Sequence, residues 1–216
     1  MLILASTAVS APWTTLFLDV NTFARDTPWL HAPMADYADY GIVLFAGLLL
    51  AGWWIARRRG TTAAMVTALW APIGMLLAVA VNQPIVAAVD EARPYTTLHH
   101  ILVLAHQSTD PSFPSDHATM AGAVTVGLLL VSWRLGLLAA FAAVVMAFAR
   151  VYIGAHYPHD VLAGLALGAL IAAIGYYLAR RPLTTVVQRL EDTRLRPLLT
   201  GSGRRDAADP APATTG

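Results

Sequence analysis

Charged and polar residues interrupt an otherwise apolar sequence at three places, the richest of which lies between residues 149 and 160. This segment contains Arg150, His156 and Asp160. A charged side chain within a membrane-spanning segment costs roughly a few kcal/mol on insertion scales, so such residues are typical of functional sites. The other two places are Arg93-Pro94 and the run from Pro114 to His117. The three segments together are therefore candidates for one chemical site.

The pair His156 and Asp160 has the spacing that places two side chains on the same face of a helix. An aspartate that accepts the N–H of one imidazole nitrogen fixes the tautomer and leaves the other nitrogen free to attack. Pro158 lies between the two residues and is favoured in the first turn of a helix, so His156 is expected just before a helix that contains Asp160. The pair is a candidate nucleophile with its orienting acid.

The remaining polar residues are suited to holding a phosphoryl group. Arg93 and Arg150 carry planar guanidinium groups that match phosphoryl oxygens. Ser115 is expected at the start of a helix, where backbone N–H groups bind anions. His117 is a second imidazole, placed to donate a proton to a leaving oxygen. The combination predicts a site for phosphoryl transfer.

Each of these residues also has a simpler interpretation. Histidines near spanning helices are more often packed or interfacial than catalytic, and we expect this of His99, His100, His106 and His159. A Ser-x-His sequence at a helix start is often only a cap. A metal site is a further alternative, with ligands drawn from Asp110, Asp116, His117, His156 and Asp160. Two arginines aimed at the same place would repel a cation, which favours a site without metal.

The composition indicates that these segments belong to an integral membrane protein. Of the 216 residues, 57% are hydrophobic and 12% are charged, whereas about a quarter of a soluble domain is charged. The absence of cysteine excludes disulfides and thiolate chemistry. Five apolar runs approach the roughly 20 residues that cross a bilayer: 37–56, 62–81, 118–133, 135–149 and 161–179. We predict an all-α membrane helical bundle with about five transmembrane helices and an interfacial N-terminal segment.

The two ends of the chain differ from this apolar middle. Residues 1–18 are predicted to be interfacial or loosely structured, with a sixth spanning helix as the alternative, and residues 18–40 carry the mixed aromatic and polar character of a membrane interface. Composition shifts after Arg181 to charged and polar residues. We therefore predict a membrane domain over residues 1–181 and a cytoplasmic, largely disordered tail over residues 182–216.

The distribution of arginine predicts the topology. The chain has no lysine, and eleven of its fourteen basic residues lie in the 57–59 loop, at Arg134 and after residue 179. If the helices alternate in direction, these segments share one side of the membrane, which is cytoplasmic by the positive-inside rule. The three polar segments then emerge together on the extracytoplasmic face.

The three motifs resemble those of the type-2 phosphatidic acid phosphatase superfamily of membrane phosphatases. The family signature comprises a lysine separated by six residues from Arg-Pro, then Pro-Ser-x-His, then Ser-Arg followed at fixed spacing by His and Asp. The chain carries this pattern between residues 82 and 168, with Arg93-Pro94, Pro114-Ser115-x-His117 and Arg150, His156 and Asp160. Two positions depart from it: the lysine position is Val86, and residue 149 is alanine instead of serine.

The resemblance implies a role for each residue. His156 would be the nucleophile that forms a phosphohistidine, and Asp160 would orient it. His117 would protonate the leaving group and later activate water. The phosphoryl oxygens would be held by Arg93, Arg150, Ser115 and the backbone N–H of Asp116. The family uses no metal or other cofactor. A donor that replaces the missing lysine is expected from a histidine between residues 99 and 106.

The resemblance also implies a substrate and a location. Residues 113–118, 149–158 and the run that ends at Gly164 are most similar to bacterial undecaprenyl-diphosphate phosphatases. The implied partners are a lipid phosphate and membrane lipids, with no nucleic acid, in the cytoplasmic (inner) membrane. The alternative substrates are phosphatidylglycerol phosphate, phosphatidate and a polyprenyl-phosphoryl sugar phosphate. A lipid-binding or transport protein with weak or absent catalysis is the alternative from another functional class, because the signature lysine is missing.

Overall fold

The computed structural model describes residues 10–201, and within this range the chain forms helices joined by short connections. The helices are α1 (Ala11–Asp26), α2 (His31–Arg59), α3 (Thr62–Val89), α4 (Pro94–Thr97), α5 (Asp116–Val131), α6 (Trp133–Tyr152), α7 (Pro158–Glu191) and α8 (Arg196–Leu199), with a 3-10 turn at Pro28–Leu30. The predicted all-α class is confirmed. The predictions for residues 1–9 and 202–216 lie outside the described residues.

Four of the described helices, α2, α3, α6 and α7, are long and apolar enough to cross a membrane. All four extend beyond the predicted apolar runs, because polar or charged residues that ended those runs lie inside the helices. Arg150 is in the last turn of α6 and Asp160 in the first turn of α7. The fifth apolar run corresponds to α5, whose 16 residues rise only about 24 Å against a hydrocarbon core of about 30 Å.

Helix α5 lies at the centre of the bundle, packed against α2, α3, α6 and α7. Apolar side chains surround it, and Met120, Val124 and Leu128 form a buried cluster with Phe45 of α2 and Met146 of α6. A helix that is apolar on all sides is expected in such a central position. The start of α5 therefore lies inside one end of the bundle, where it carries Ser115, Asp116 and His117.

Helices α5 and α7 approach each other closely at two glycines. A Cβ atom at Gly168 would lie 1.9 Å from the Thr119 carbonyl oxygen, and one at Gly164 would lie 2.6 Å from the Ser115 carbonyl oxygen. Small residues let two helix backbones come together in this way. As a result the first turn of α7 meets the start of α5, and the Ser115 N–H donates to the Asp160 carbonyl at 3.2 Å.

Four segments meet at the other end of the bundle: the end of α2, the start of α3, the α5–α6 turn and the end of α7. Arg59 donates to the Val131 carbonyl, and the Thr62 hydroxyl donates to Glu191 at 3.1 Å. The helices thus alternate as predicted, and the arginine-rich segments 57–59, 134 and 180–196 share this end. The three motif segments lie at the opposite end.

The N-terminal segment is more ordered than predicted, because residues 11–26 form helix α1. Phe17, Asn21 and Ala24 are buried. The Asn21 amide donates to the Leu102 carbonyl at 2.7 Å and accepts from the Leu102 N–H at 3.0 Å. These contacts fix α1 against the loop that precedes α5. Within the described residues, α1 is not among the helices that could span a membrane.

The predicted boundary after Arg181 does not coincide with the end of a helix. Helix α7 continues through Pro182 to Glu191, because Val187 packs in a buried cluster with Ala56 and Met65. The chain then returns along α2, where the Trp53 indole donates to the Leu198 carbonyl at 3.1 Å. The part of the predicted tail that the structure describes, residues 182–201, is therefore folded against the membrane domain.

Candidate active site

The side chain of His156 is the centre of the polar end of the bundle. It lies in the short connection between α6 and α7 and is 3% exposed. Its Nδ1 atom is 2.9 Å from the Ser112 carbonyl oxygen and 3.4 Å from Asp160 Oδ2. A carbonyl oxygen can only accept a hydrogen bond, so Nδ1 carries the proton and Nε2 has a free lone pair.

Two guanidinium groups converge on that lone pair. Arg93 Nη1 and Arg150 Nη2 each lie 3.3 Å from His156 Nε2. Arginine can only donate, which agrees with an unprotonated Nε2. Arg93 is held in place because its Nε donates to the Asp110 carbonyl at 2.7 Å and its Nη1 donates to the Ala155 carbonyl at 3.1 Å. A phosphoryl group in front of Nε2 would be in reach of both arginines.

The surroundings of His156 keep its ring neutral. Burial lowers the pKa of His156 to about 4, and the positive charges of Arg150 and Arg93 act in the same direction, while Asp160 opposes them. The disfavoured form is the imidazolium, because a charged ring loses its hydration in the interior. At neutral pH the ring is therefore available as a nucleophile.

Asp160 is fully buried and is held by more than His156. Its Oδ2 accepts the Tyr157 N–H at 2.9 Å and also a hydrogen bond from the Ser112 hydroxyl. Ser112 thus touches both members of the pair, His156 through its carbonyl and Asp160 through its hydroxyl. Ser112 was not among the site residues predicted from the sequence. The only sequence feature that pointed to Ser112 was its position two residues before Pro114. A contact made by a backbone carbonyl does not depend on the type of residue, so the sequence could not reveal it.

Two buried donors near the start of α5 have no partner among the described residues. Ser115 is the N-cap residue, as predicted, yet its hydroxyl makes no capping bond. The Ser115 Oγ and Arg150 Nε atoms are buried and unpaired within the described residues. Buried polar groups are normally hydrogen-bonded, so these two donors are suited to the oxygens of a bound anion. The Asp116 carboxylate accepts from Asn82 at 2.7 Å and from Gln83 at 2.9 Å.

A cavity of about 740 Å³ joins these groups. Among the residues that line it are Arg93, Asp116, His117, Arg150 and His156. Val86 and His106 also line the cavity, whereas Ala149 is buried outside it. His106 is therefore the histidine of the 99–106 segment that lines the same cavity as Val86. Its side chain is 97% exposed.

The possible metal ligands that the structure brings together differ from those considered in the sequence. Within residues 10–201, the carboxylates and histidines close enough to share an ion are those of Glu91, His159 and Asp160. His159 Nε2 lies 3.0 Å from Glu91 Oε1 and 3.1 Å from Asp160 Oδ1. The hydrogen bond of His159 Nε2 goes to Glu91 Oε2, at 3.1 Å, and its approach to Asp160 Oδ1 is a close electrostatic contact.

Comparison with known proteins places this geometry in a family. The model of the PAP2 superfamily matches residues 67–183. Undecaprenyl-diphosphatase BcrC of Bacillus subtilis is 28% identical over 85% of this chain and 93% of its own length. Decaprenylphosphoryl-5-phosphoribose phosphatase of Mycobacterium tuberculosis is 45% identical over 29% of this chain and 34% of its own length. The crystal structure of LpxE of Aquifex aeolicus superposes with a TM-score of 0.63, at 21% identity over 79% of this chain and 98% of that one.

Proposed function

We propose that this chain, which belongs to the PAP2 superfamily and is a membrane lipid-phosphate phosphatase, hydrolyses undecaprenyl diphosphate to the monophosphate. The observation that carries the chemistry is the convergence of Arg93 and Arg150 on His156 Nε2, each at 3.3 Å. The choice of lipid is supported by the similarity to undecaprenyl-diphosphatase BcrC along almost the whole of that protein.

The first half of the proposed reaction transfers the terminal phosphoryl group to the enzyme. His156 Nε2 attacks the phosphorus, a nitrogen–phosphorus bond forms, and the bond from phosphorus to the bridging oxygen breaks. Arg93, Arg150, the Ser115 hydroxyl and the Asp116 N–H stabilise the charge on the equatorial oxygens. Asp160 orients the ring and stabilises its positive charge as the bond forms.

The second half of the proposed reaction returns the enzyme to its starting state. His117, on the same cavity, takes up a proton together with the anionic substrate, gives it to the leaving lipid monophosphate in the first half and is then an unprotonated base. It takes a proton from a water molecule that attacks the phosphohistidine. The nitrogen–phosphorus bond breaks, inorganic phosphate leaves, and both histidines regain their original protonation states.

The architecture supports a site at the surface of the membrane. The polar cavity lies at the end of the bundle opposite the arginine-rich segments, which the positive-inside rule assigns to the cytoplasm. The chain is a multi-pass membrane protein, and we propose that it resides in the cytoplasmic membrane with the active site on the extracytoplasmic face. The phosphate group of the lipid would then enter the cavity while its chain remains in the bilayer.

A polyprenyl-phosphoryl sugar phosphate is the second candidate substrate. It is favoured by the 45% identity to decaprenylphosphoryl-5-phosphoribose phosphatase, although this match covers only 64 residues. Both candidate substrates carry a terminal phosphate on a polyprenyl anchor, so the chemistry at His156 would be the same. They differ in what lies between the terminal phosphate and the chain.

A phosphate-release assay with the purified full chain in detergent tests the proposal. Undecaprenyl diphosphate, a polyprenyl-phosphoryl sugar phosphate, phosphatidylglycerol phosphate and phosphatidate are compared at equal concentration, with wild type beside His156→Ala. We expect the highest kcat/KM for undecaprenyl diphosphate and a loss of at least about a thousandfold in the variant. Preference for another lipid would overturn the proposal that undecaprenyl diphosphate is the substrate. Equal, slow release by both proteins would instead indicate a lipid-binding relative without catalysis.

A further inference from the structure

We infer that Glu91 and His159 form a positioning pair, the Glu91–His159 clasp, which holds the Asp160 carboxylate in the orientation that His156 requires. The inference rests on the proposed function and concerns two residues outside the signature motifs. Both lie on the side of Asp160 that faces away from His156: Asp160 uses Oδ2 toward His156 and Ser112, and Oδ1 toward His159.

The geometry of the clasp joins two carboxylates through one imidazole. His159 Nε2 is 3.1 Å from Asp160 Oδ1 and lies 3.0 Å and 3.1 Å from the two carboxylate oxygens of Glu91. The side chains of His159 and Glu91 are only 17% and 11% exposed. A polar contact with so little access to water is stronger than the same contact at the surface.

Aromatic side chains fix the plane of the His159 ring. It stacks on Phe113 with a centroid distance of 5.5 Å and on Tyr157 at 5.8 Å, with interplanar angles of 25° and 26°. Trp13 of α1 packs against it at 5.6 Å. A ring held on several sides has one orientation, so its Nε2 is fixed as the hydrogen-bond partner of Glu91 and as the close neighbour of Asp160 Oδ1.

The clasp connects the segments that carry the three motifs. Glu91 precedes Arg93 by two residues, and its backbone carbonyl accepts the Ser112 N–H at 2.7 Å. Ser112 in turn contacts His156 and Asp160 through its carbonyl and hydroxyl. Three hydrogen bonds and the electrostatic contact of His159 with Asp160 therefore link Glu91, Ser112, Asp160 and His159 in a closed set, which holds the Arg93 segment against His156. Polar groups around a reactive side chain commonly fix its orientation in this way.

The clasp acts through Asp160 and does not touch the cavity, so its loss is expected to lower kcat more than it changes KM. We would measure kcat and KM for phosphate release by the full chain, using His159→Phe, which keeps the stacking and removes the N–H, and Glu91→Gln, which keeps the size and removes the charge. We expect each kcat to fall about 10- to 100-fold. The double variant should be no slower than the slower single variant, since both changes break one unit.

Three comparisons make this test specific. His159→Gln restores N–H donors and should recover part of the activity that His159→Phe loses, at similar thermal stability. His99→Phe, at an exposed position outside the cavity, should retain wild-type kcat. Wild type should remain active in EDTA. The inference is overturned if kcat is unchanged, if the losses multiply in the double variant, or if EDTA abolishes wild-type activity and so assigns these side chains to a metal ion.

These outcomes are distinct from a failure of the proposed function. If wild type and His156→Ala release phosphate equally slowly, the proposed reaction is wrong. If wild type is active and His156→Ala is not, but the clasp variants match wild type, the reaction stands and only the clasp is wrong.

Discussion

At the level of single residues, the site consists of one neutral imidazole between a fixed acceptor and two fixed cations. Ser112 and Asp160 define which nitrogen of His156 carries the proton. Arg93 and Arg150 each lie 3.3 Å from the other nitrogen. This arrangement suits a reaction in which Nε2 attacks a negatively charged phosphoryl group. The absent family lysine, at Val86, leaves these two arginines as the cations nearest to the nucleophile among the described residues.

The lowered pKa of His156 gives a prediction about its protonation. Because burial and the two arginines hold its pKa near 4, against about 6.5 for an unperturbed histidine, the ring should stay neutral when the pH falls through 6.5. Protonation, and with it loss of the nucleophile, should occur only near pH 4. NMR titration of ring-labelled histidines, with the His156 signal assigned from its absence in His156→Asn, measures this directly. A midpoint near 6.5 would contradict the burial argument.

Residue types predicted part of this site and missed another part. Arg93, His117, Arg150, His156 and Asp160 could be named because charged or titratable side chains in an apolar chain are conspicuous. Ser112 could not be named, because its contact with His156 is made by its backbone carbonyl. His159 was expected to be a packed or interfacial histidine; it is indeed packed between aromatic rings, and its contacts with Glu91 and Asp160 depend on a fold that brings distant segments together.

At the level of helices, the central one determines where the chemistry lies. Helix α5 is surrounded by α2, α3, α6 and α7, so its N-terminal end and the anion-binding groups there are inside the bundle instead of at its edge. The close approach of α7 at Gly164 and Gly168 then brings Asp160 beside Ser115. The spacing of the two helices thus controls the spacing of the groups proposed to bind phosphate and to act as the nucleophile.

This packing predicts that Gly168→Ala destabilises the protein. The added Cβ would lie 1.9 Å from the Thr119 carbonyl oxygen, and relief requires the two helix backbones to separate. Overpacking of this kind costs about 1–3 kcal/mol, so thermal unfolding in detergent should begin several degrees lower. Gly47→Ala in α2 is the matched control, because no atom lies within 4 Å of the new Cβ. Equal melting temperatures for the two variants would contradict the prediction.

The helices themselves were predictable as elements but not in their lengths. Apolar runs located α2, α3, α5, α6 and α7 in order, and they ended early where Arg150 and Asp160 entered the helices. The helical nature of residues 11–26 and 182–191 was missed for a related reason. Both segments mix polar with apolar residues, and what stabilises them as helices is burial of Phe17 and Val187 against distant parts of the chain.

At the level of the whole molecule, the resemblance predicted from three short motifs is confirmed by the match of the PAP2 superfamily over residues 67–183. The distribution of arginine predicted which ends of the helices meet, and the structure has the same alternation. The sequence could not show how the segments between the motifs fold across the site, because the 98–112 loop has little regular structure and is held by long-range contacts such as that of Asn21 with Leu102.

The proposed orientation in the membrane can be tested with single cysteines, since the natural chain has none. Thr109→Cys lies in the exposed loop beside the cavity, and Thr193→Cys is exposed at the arginine-rich end. A membrane-impermeant maleimide applied to intact cells should label Thr109→Cys and should label Thr193→Cys only after permeabilisation. The reverse pattern would place the site in the cytoplasm and contradict the charge argument.

The most direct test of the central claim is to trap the phosphoryl group on His156. Full-length protein is mixed with undecaprenyl diphosphate labelled in its terminal phosphate, quenched within one turnover under alkaline conditions that preserve phosphohistidine, and digested for mass spectrometry. We predict a phosphoryl group on the peptide that contains His156 in the wild type and none in His156→Ala. Rapid turnover by wild type without label on His156, or with label on another residue, would contradict the proposal.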